Sequence, residues 1–338
     1  MSDRRPSFDV TNTVNITDPR QVCEASCAII ARRYPDADLE ALQTAFDTFG
    51  KLFSGSLPGY VGCDTWYHDA QHSLDCALAM VRLMDGHDAS EIPQRRLGAR
   101  GMSFGVILAL FHDAGYIRRR DEKHISNGAA FTLFHVGRSA NFLEAFLPTV
   151  GFAAETSAAA QLVHFTGYEV ALERIKVSGY RQRIIGHLLG TADLIAQMSD
   201  HYYLRKCYNF LYHEFELCGL AGQPTAERPN PVYTSREDLI RKTPAFLNSL
   251  FEDRLDGYFG GIYRYAEAHF GGSNPYMQII AAHRREVDKL IASGRMDGLK
   301  VRPPRVHAPE LRKKLASRPR VQRRGGKVAS AALNRQQH

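Results

Sequence analysis

The chain has 338 residues, 44% of them apolar and 23% charged, enough to bury a substantial core in one large domain or two smaller ones. The longest apolar run, "VILALF" at 106–111, falls far short of the roughly 18 residues a spanning helix needs, which argues against a transmembrane segment. The net charge of +7 is unevenly placed: residues 300–338 hold twelve Lys or Arg against one acid, Glu310, and this net +11 leaves −4 for residues 1–299.

No apolar stretch follows the early arginines of "MSDRRPSFDV", so no secretion signal is read and a cytoplasmic location is expected. The six cysteines form no CxxC pair and are expected as reduced thiols, with Cys23 and Cys27 acting as small buried hydrophobes. "DPRQVCEASCAIIARRY" begins with Asp18 as N-cap and Pro19 at the first helical position. "DADLEALQTAFDTFGKLF" places Leu39, Leu42 and Phe46 at helical spacing. In "YHDAQHSLD", residues 67–75, the spacing predicts a helix that projects His68, His72 and Asp75 from one face. Leu74, Leu78 and Val81 form its buried stripe.

Helices are read further over "SFGVILALFHDAG", "SNGAAFTLFHVGRSANFLEAFL", "AAETSAAAQLVHF", "YRQRIIGHLLGTADLIAQMSD" and "YYLRKCYNFLYHEFELCG". Two more follow in "SREDLIRKTPAFLNSLFEDRLDGYFGGIYRYAEAHF", where Pro244 is expected to end or bend a helix, and in "PYMQIIAAHRREVDKLIASG". Sustained strand alternation is missing, so the fold class is all-α. The tail from Lys300, rich in proline, glycine and basic residues, reads as a disordered extension able to contact nucleic acid or an anionic surface.

Three fragments carry the chemistry. Besides His68 and His72, "ALFHDAGY" ends an apolar run in adjacent His112 and Asp113, and "LLGTADLIAQ" holds Asp193 as the sole acid in an apolar helix segment. Desolvating such groups costs several kcal/mol unless a partner compensates, and either a metal ion or a buried His–Asp hydrogen bond does so. As a set, His72, His112, Asp113 and Asp193 suit iron, manganese, zinc, cobalt or magnesium. "IRRRDEK" follows directly, and Arg118, Arg119 and Arg120 are candidates for phosphate contacts. Asp69 and Asp75 are candidates to orient the histidines. His135, His187, His201 and His213 are expected to pack or face solvent.

These fragments, in this order, resemble the HD superfamily of metal-dependent phosphohydrolases. "YHDAQHSLD" resembles the YHNxxHAxD opening of class I cyclic-nucleotide phosphodiesterases, and "TADLIA" is similar to the helix that supplies their last metal ligand. The resemblance covers residues 66 to about 200. It implies an HD-domain helical bundle with N-terminal helices over 1–59, a catalytic core over 60–215, a C-terminal helical extension over 216–299 and the tail over 300–338. It further implies that His72, His112, Asp113 and Asp193 ligate a first divalent metal, that Asp113 bridges to a second, and that His68 is the general acid.

The sequence departs from the phosphodiesterase HDxxH, because Tyr116 stands at the final position. "HDAGY" is closer to the HDxGK of bacterial HD-GYP proteins, whose pattern implies His124 and His164 at the second metal. Hydrolysis of a nucleotide-like phosphodiester is the implied activity. Two alternatives stay open: a di-iron oxygenase on the same ligands, and a regulatory module whose basic tail docks on nucleic acid. Tyr258, Phe259, Tyr263 and Tyr265 either pack in the core, cap the pocket or form a homodimer face.

Overall fold

The computed structural model describes residues 4–225, 229–306 and 308–316. The described residues are helical and contain only isolated β-bridges, such as Tyr60 with Arg119, so the fold is all-α. Among the described residues no helix is long and apolar enough to cross a membrane. One hydrophobic core runs from Ile16 to Leu311.

Helix α1 (Pro19–Arg33) starts as its sequence dictates, with Asp18 accepting the Arg20 N–H and Pro19 in the first turn. Helix α2 (Glu40–Ser54) ends at Gly55, whose φ of 73° suits a residue without Cβ. Helix α3 (Ala70–Ser90) is the axis of the molecule and packs against α1, α4 (Gly98–Phe111), α7 (Gly179–Met198) and α11 (Tyr265–Phe270). Between α4 and α7 lie α5 (His135–Phe146) and α6 (Thr156–Leu162). A continuous helical stretch follows as α8 (Tyr203–Lys206), a wide turn over Cys207–Leu211 and α9 (Tyr212–Cys218). Helix α10 (Arg236–Ser249) and α12 (Pro275–Ser293) complete the body.

Three expectations change. The stripe of Leu74, Leu78 and Val81 is buried, but so is every residue of α3 from Ala70 to Asp88, and the helix has no solvent face over that stretch. Its charged groups bind protein instead of water. Arg82 donates to Asp9 and to the Tyr276 hydroxyl, while Asp85 accepts from Arg32, Arg33 and His269. Such pairing is what makes burial of charge tolerable.

Pro244 sits inside α10, and the helix continues past it to Ser249. The basic tail is not disordered throughout: α13 (Ala308–Ala316) packs on α2, with Leu311 buried and Arg312 donating to the Ser54 carbonyl. The rest of the tail, 317–338, with half of the basic residues expected to contact nucleic acid, lies outside the described residues. Among the late aromatics, Phe259 and Tyr263 are buried, Tyr258 and Tyr265 are partly buried against the core, and none of the four lines the cavity described below.

Candidate metal centre

Two helices and one helix end converge on a single point. His72 comes from the first turn of α3, His112 and Asp113 from the end of α4, and Asp193 from the middle of α7. All four are buried. His72 Nε2 lies 3.1 Å from Asp193 Oδ1, 3.5 Å from Asp113 Oδ2 and 3.3 Å from His112 Nε2. His112 Nε2 lies 3.3 Å from Asp113 Oδ2 and 3.5 Å from Asp193 Oδ1. Adjacent ligands about 2.0–2.1 Å from one cation lie about 3.3–3.4 Å apart, so His72, His112 and Asp113 are spaced to hold one transition-metal ion, with Asp193 against both imidazoles.

The chemistry of the donors agrees with the distances. His112 Nδ1 donates to the Ala109 carbonyl at 2.7 Å, which leaves Nε2 as the ligating atom. Among the described residues Asp113 Oδ2 is buried without a hydrogen-bond partner, with His112 Nε2 and His72 Nε2 at 3.3 and 3.5 Å, and a cation between them would satisfy it. Burial alone would raise both carboxyls, yet the facing imidazoles hold Asp113 and Asp193 well below the usual carboxylate range. For His112, burial opposes the charged ring, and Asp113 and Asp193 outweigh it and draw its pKa upward. Cys76 also lies in this cluster, its Sγ within 4.8 Å of ligand atoms of His112 and Asp193. Burial and the nearby carboxylates push the thiol pKa well up, so Cys76 stays protonated.

His68 is not on the helix that carries His72. It precedes the N-cap Asp69, whose extended backbone (ψ 179°) starts α3 and whose carboxylate accepts the His72 N–H at 3.1 Å. The shared-face expectation therefore fails for His68, because a capping acid at position 69 breaks the helix there. Glu214 of α9 holds the ring instead. It accepts from His68 Nδ1 at 2.6 Å and from the backbone N–H groups of Trp66 and Tyr67, both at 2.6 Å. Burial lowers the His68 pKa, but the Glu214 carboxylate more than offsets this and the net shift is upward.

His135, expected to pack or face solvent, sits at the centre. Its Nε2 is 3.6 Å from Asp113 Oδ1, the oxygen turned away from the first cluster, and its Nδ1 donates to the Thr132 carbonyl at 2.8 Å. Burial, with His68 adding to it, lowers its pKa and favours the neutral ring. Tyr116 is stacked between the two histidines, 4.5 Å from His68 and 4.3 Å from His135. Gly115 makes this approach possible: a Cβ there would lie 1.8 Å from the His135 carbonyl oxygen.

Other sequence candidates are not brought to the cluster. His124 is exposed on the loop before α5, and His164 is half-buried outside the cavity wall. Arg118 pairs with Asp64 and donates to the Ile125 carbonyl, Arg120 donates to the Gly55 carbonyl, and Arg119 is exposed. None of the three arginines lines the cavity. Asp75 is buried below His72 with neither oxygen hydrogen-bonded among the described residues, and burial holds its pKa up at about 7.

His68, His72, His112, Asp113, His135 and Asp193 form the floor of a cavity of about 370 Å³. Its walls are largely apolar, with Leu194, Leu211, Phe215, Leu220, Tyr233 and Leu239. Comparisons with family models, curated proteins and solved structures returned no match to this chain.

Proposed function

We propose that this chain is a metal-dependent hydrolase of phosphate esters, as the resemblance to HD phosphohydrolases implies. The observation that carries the reading is the convergence of His72, His112, Asp113 and Asp193 on one point, with a Glu214-held His68 beside it on the same cavity floor. A divalent cation held there supplies Lewis-acid charge for a phosphoryl oxygen and an acidic water near neutrality. His72, His112, Asp113 and Asp193 would hold it. Asp113 Oδ1 and His135 Nε2, 3.6 Å apart, offer two donors for a second ion.

His68 does the proton work. Glu214 fixes the Nδ1–H and stabilises the imidazolium, so Nε2–H can protonate an oxygen that leaves as alkoxide. A group of this kind is worth about 10²–10⁴ in rate. Screening the metal-loaded protein against cyclic nucleotides, cyclic dinucleotides, nucleotides and simple phosphomonoesters tests the proposal. Phosphate or monoester release that stops on chelation and is lost in Asp193→Asn supports it; no turnover of any ester with full metal content refutes it.

One observation favours a second reading, oxidation at a di-iron centre. Among the described residues no Lys or Arg lines the cavity, a wall that suits an uncharged substrate. Oxygen uptake by the iron-loaded protein without phosphate release would select it.

A further inference from the structure

Any charged substrate in this cavity has few positive partners. Glu169 lines the wall, fixed by the backbone N–H groups of Val136 and Gly137 at 2.6 and 2.9 Å. Arg254 lies behind the wall, where its guanidinium packs on the Tyr168 ring at 3.8 Å and donates to the Gly167 carbonyl at 2.7 Å. Within the cavity Asp113, Asp193 and Glu169 carry three negative charges, while His68 is balanced by Glu214. Even two divalent ions leave a single positive charge. That balances one phosphodiester anion, and a second or third phosphoryl group would be left uncompensated in a site of low dielectric.

Beyond the floor the walls offer apolar surface, and that surface continues to the mouth. Leu133, Tyr168 and Phe246 line the cavity while remaining 58%, 68% and 43% exposed. Single exposed apolar side chains are ordinary, but a group of them around one opening marks a surface that binds apolar matter.

We infer that the substrate is an amphiphilic ester with one phosphoryl group, its phosphate at the His/Asp cluster and its apolar body running along Leu211, Phe215 and Tyr233 to the mouth at Leu133, Tyr168 and Phe246. The inference rests on the phosphate-ester reading. It names the occupant of the apolar walls as a hydrocarbon body in place of a nucleobase or a polyphosphate chain.

The test is calorimetric binding of butyl-, hexyl-, octyl- and decylphosphonate, each below its micellar concentration, to the full chain. The carbon–phosphorus bond of these probes is not an ester and survives the measurement. With metal-loaded protein, Kd should fall by about fourfold per added methylene until the cavity is filled, the factor expected for burying one CH₂ group. Chelation should weaken every member by a similar factor, because it removes only the head-group contact. Phe246→Ser should flatten the long-chain end of the series.

A flat series that remains metal-dependent would overturn the inference and spare the phosphate-ester reading. A steep series indifferent to chelation would remove the seating at the cluster, and the phosphate-ester reading with it. Tighter binding of a cyclic nucleotide or of ADP than of octylphosphonate would overturn the apolar occupant directly.

Discussion

Replacing Glu214 by glutamine changes one atom and tests the proton-donor role of His68. Glu214 Oε1 takes the N–H groups of Trp66 and Tyr67, and a glutamine oxygen can keep both. The new amide NH₂ then faces His68 Nδ1, where the carboxylate oxygen stood 2.6 Å away. Nδ1 can no longer donate there, so the ring settles as the neutral tautomer with Nε2–H, far too weak an acid to serve a leaving alkoxide. A hydrogen bond to a charged group contributes about 1.5–3 kcal/mol, which corresponds to about 10- to 100-fold in kcat/KM. Two esters read the effect. One releases a nitrophenolate, stable without a proton, and the other an alkoxide that needs one. The loss should be confined to the alkoxide ester, with metal content unchanged. Because Glu214 raises the His68 pKa, the alkaline limb of the alkoxide profile should also move to lower pH in the variant. Equal losses on both esters, or an unmoved limb with metal retained, would refute the assignment of His68 as acid.

Gly115→Ala introduces a Cβ 1.8 Å from the His135 carbonyl oxygen and 2.8 Å from Arg138 Cβ. Denaturant unfolding should show a loss of about 1–3 kcal/mol, as overpacking does, together with reduced turnover; wild-type values in both would show that His135 is not held by this contact. Asp75 predicts a pH dependence of stability. Its folded pKa is raised to about 7 by burial, against about 3.9 in an unfolded chain. Between these values the folded state keeps a proton that the unfolded state has released, so stability falls as pH rises from about 4 to about 7. Three units amount to about 4 kcal/mol. Asp75→Asn should therefore melt several degrees above the wild type at pH 8 and match it near pH 4, and identical melting curves at pH 8 would contradict the burial argument.

Much of the fold was legible because it rests on local rules. Asp18 and Pro19 announce α1, and helical periodicity marks α2, α4, α7 and α12 within a few residues. His72, His112, Asp113 and Asp193 stood out because each is a costly polar group in an apolar helical setting, and these are the four that the structure brings together. Less local features escaped. His135 and Glu214 look like any other histidine and acid in "TLFHVGR" and "YHEFELCG", and only packing carries them to Asp113 and His68. Gly115 was the available signal for His135, since a glycine two residues after HD marks a close backbone approach. The one-face reading of His68 failed because an aspartate before a helix serves as readily as a cap as it does within the first turn. Full burial of α3 was hidden because Arg82, Asp85 and Asp88 look solvated until their partners on distant segments are known.

The central claim is that His72, His112, Asp113 and Asp193 share one cation. Anomalous diffraction from crystals of the metal-loaded chain, recorded at the absorption edge of the metal found by elemental analysis, tests it most directly. The account predicts a peak at about 2.0–2.2 Å from His72 Nε2, His112 Nε2, Asp113 Oδ2 and Asp193 Oδ1. A chain that binds no transition metal, or a peak bounded by other side chains while these four stand apart, would contradict it.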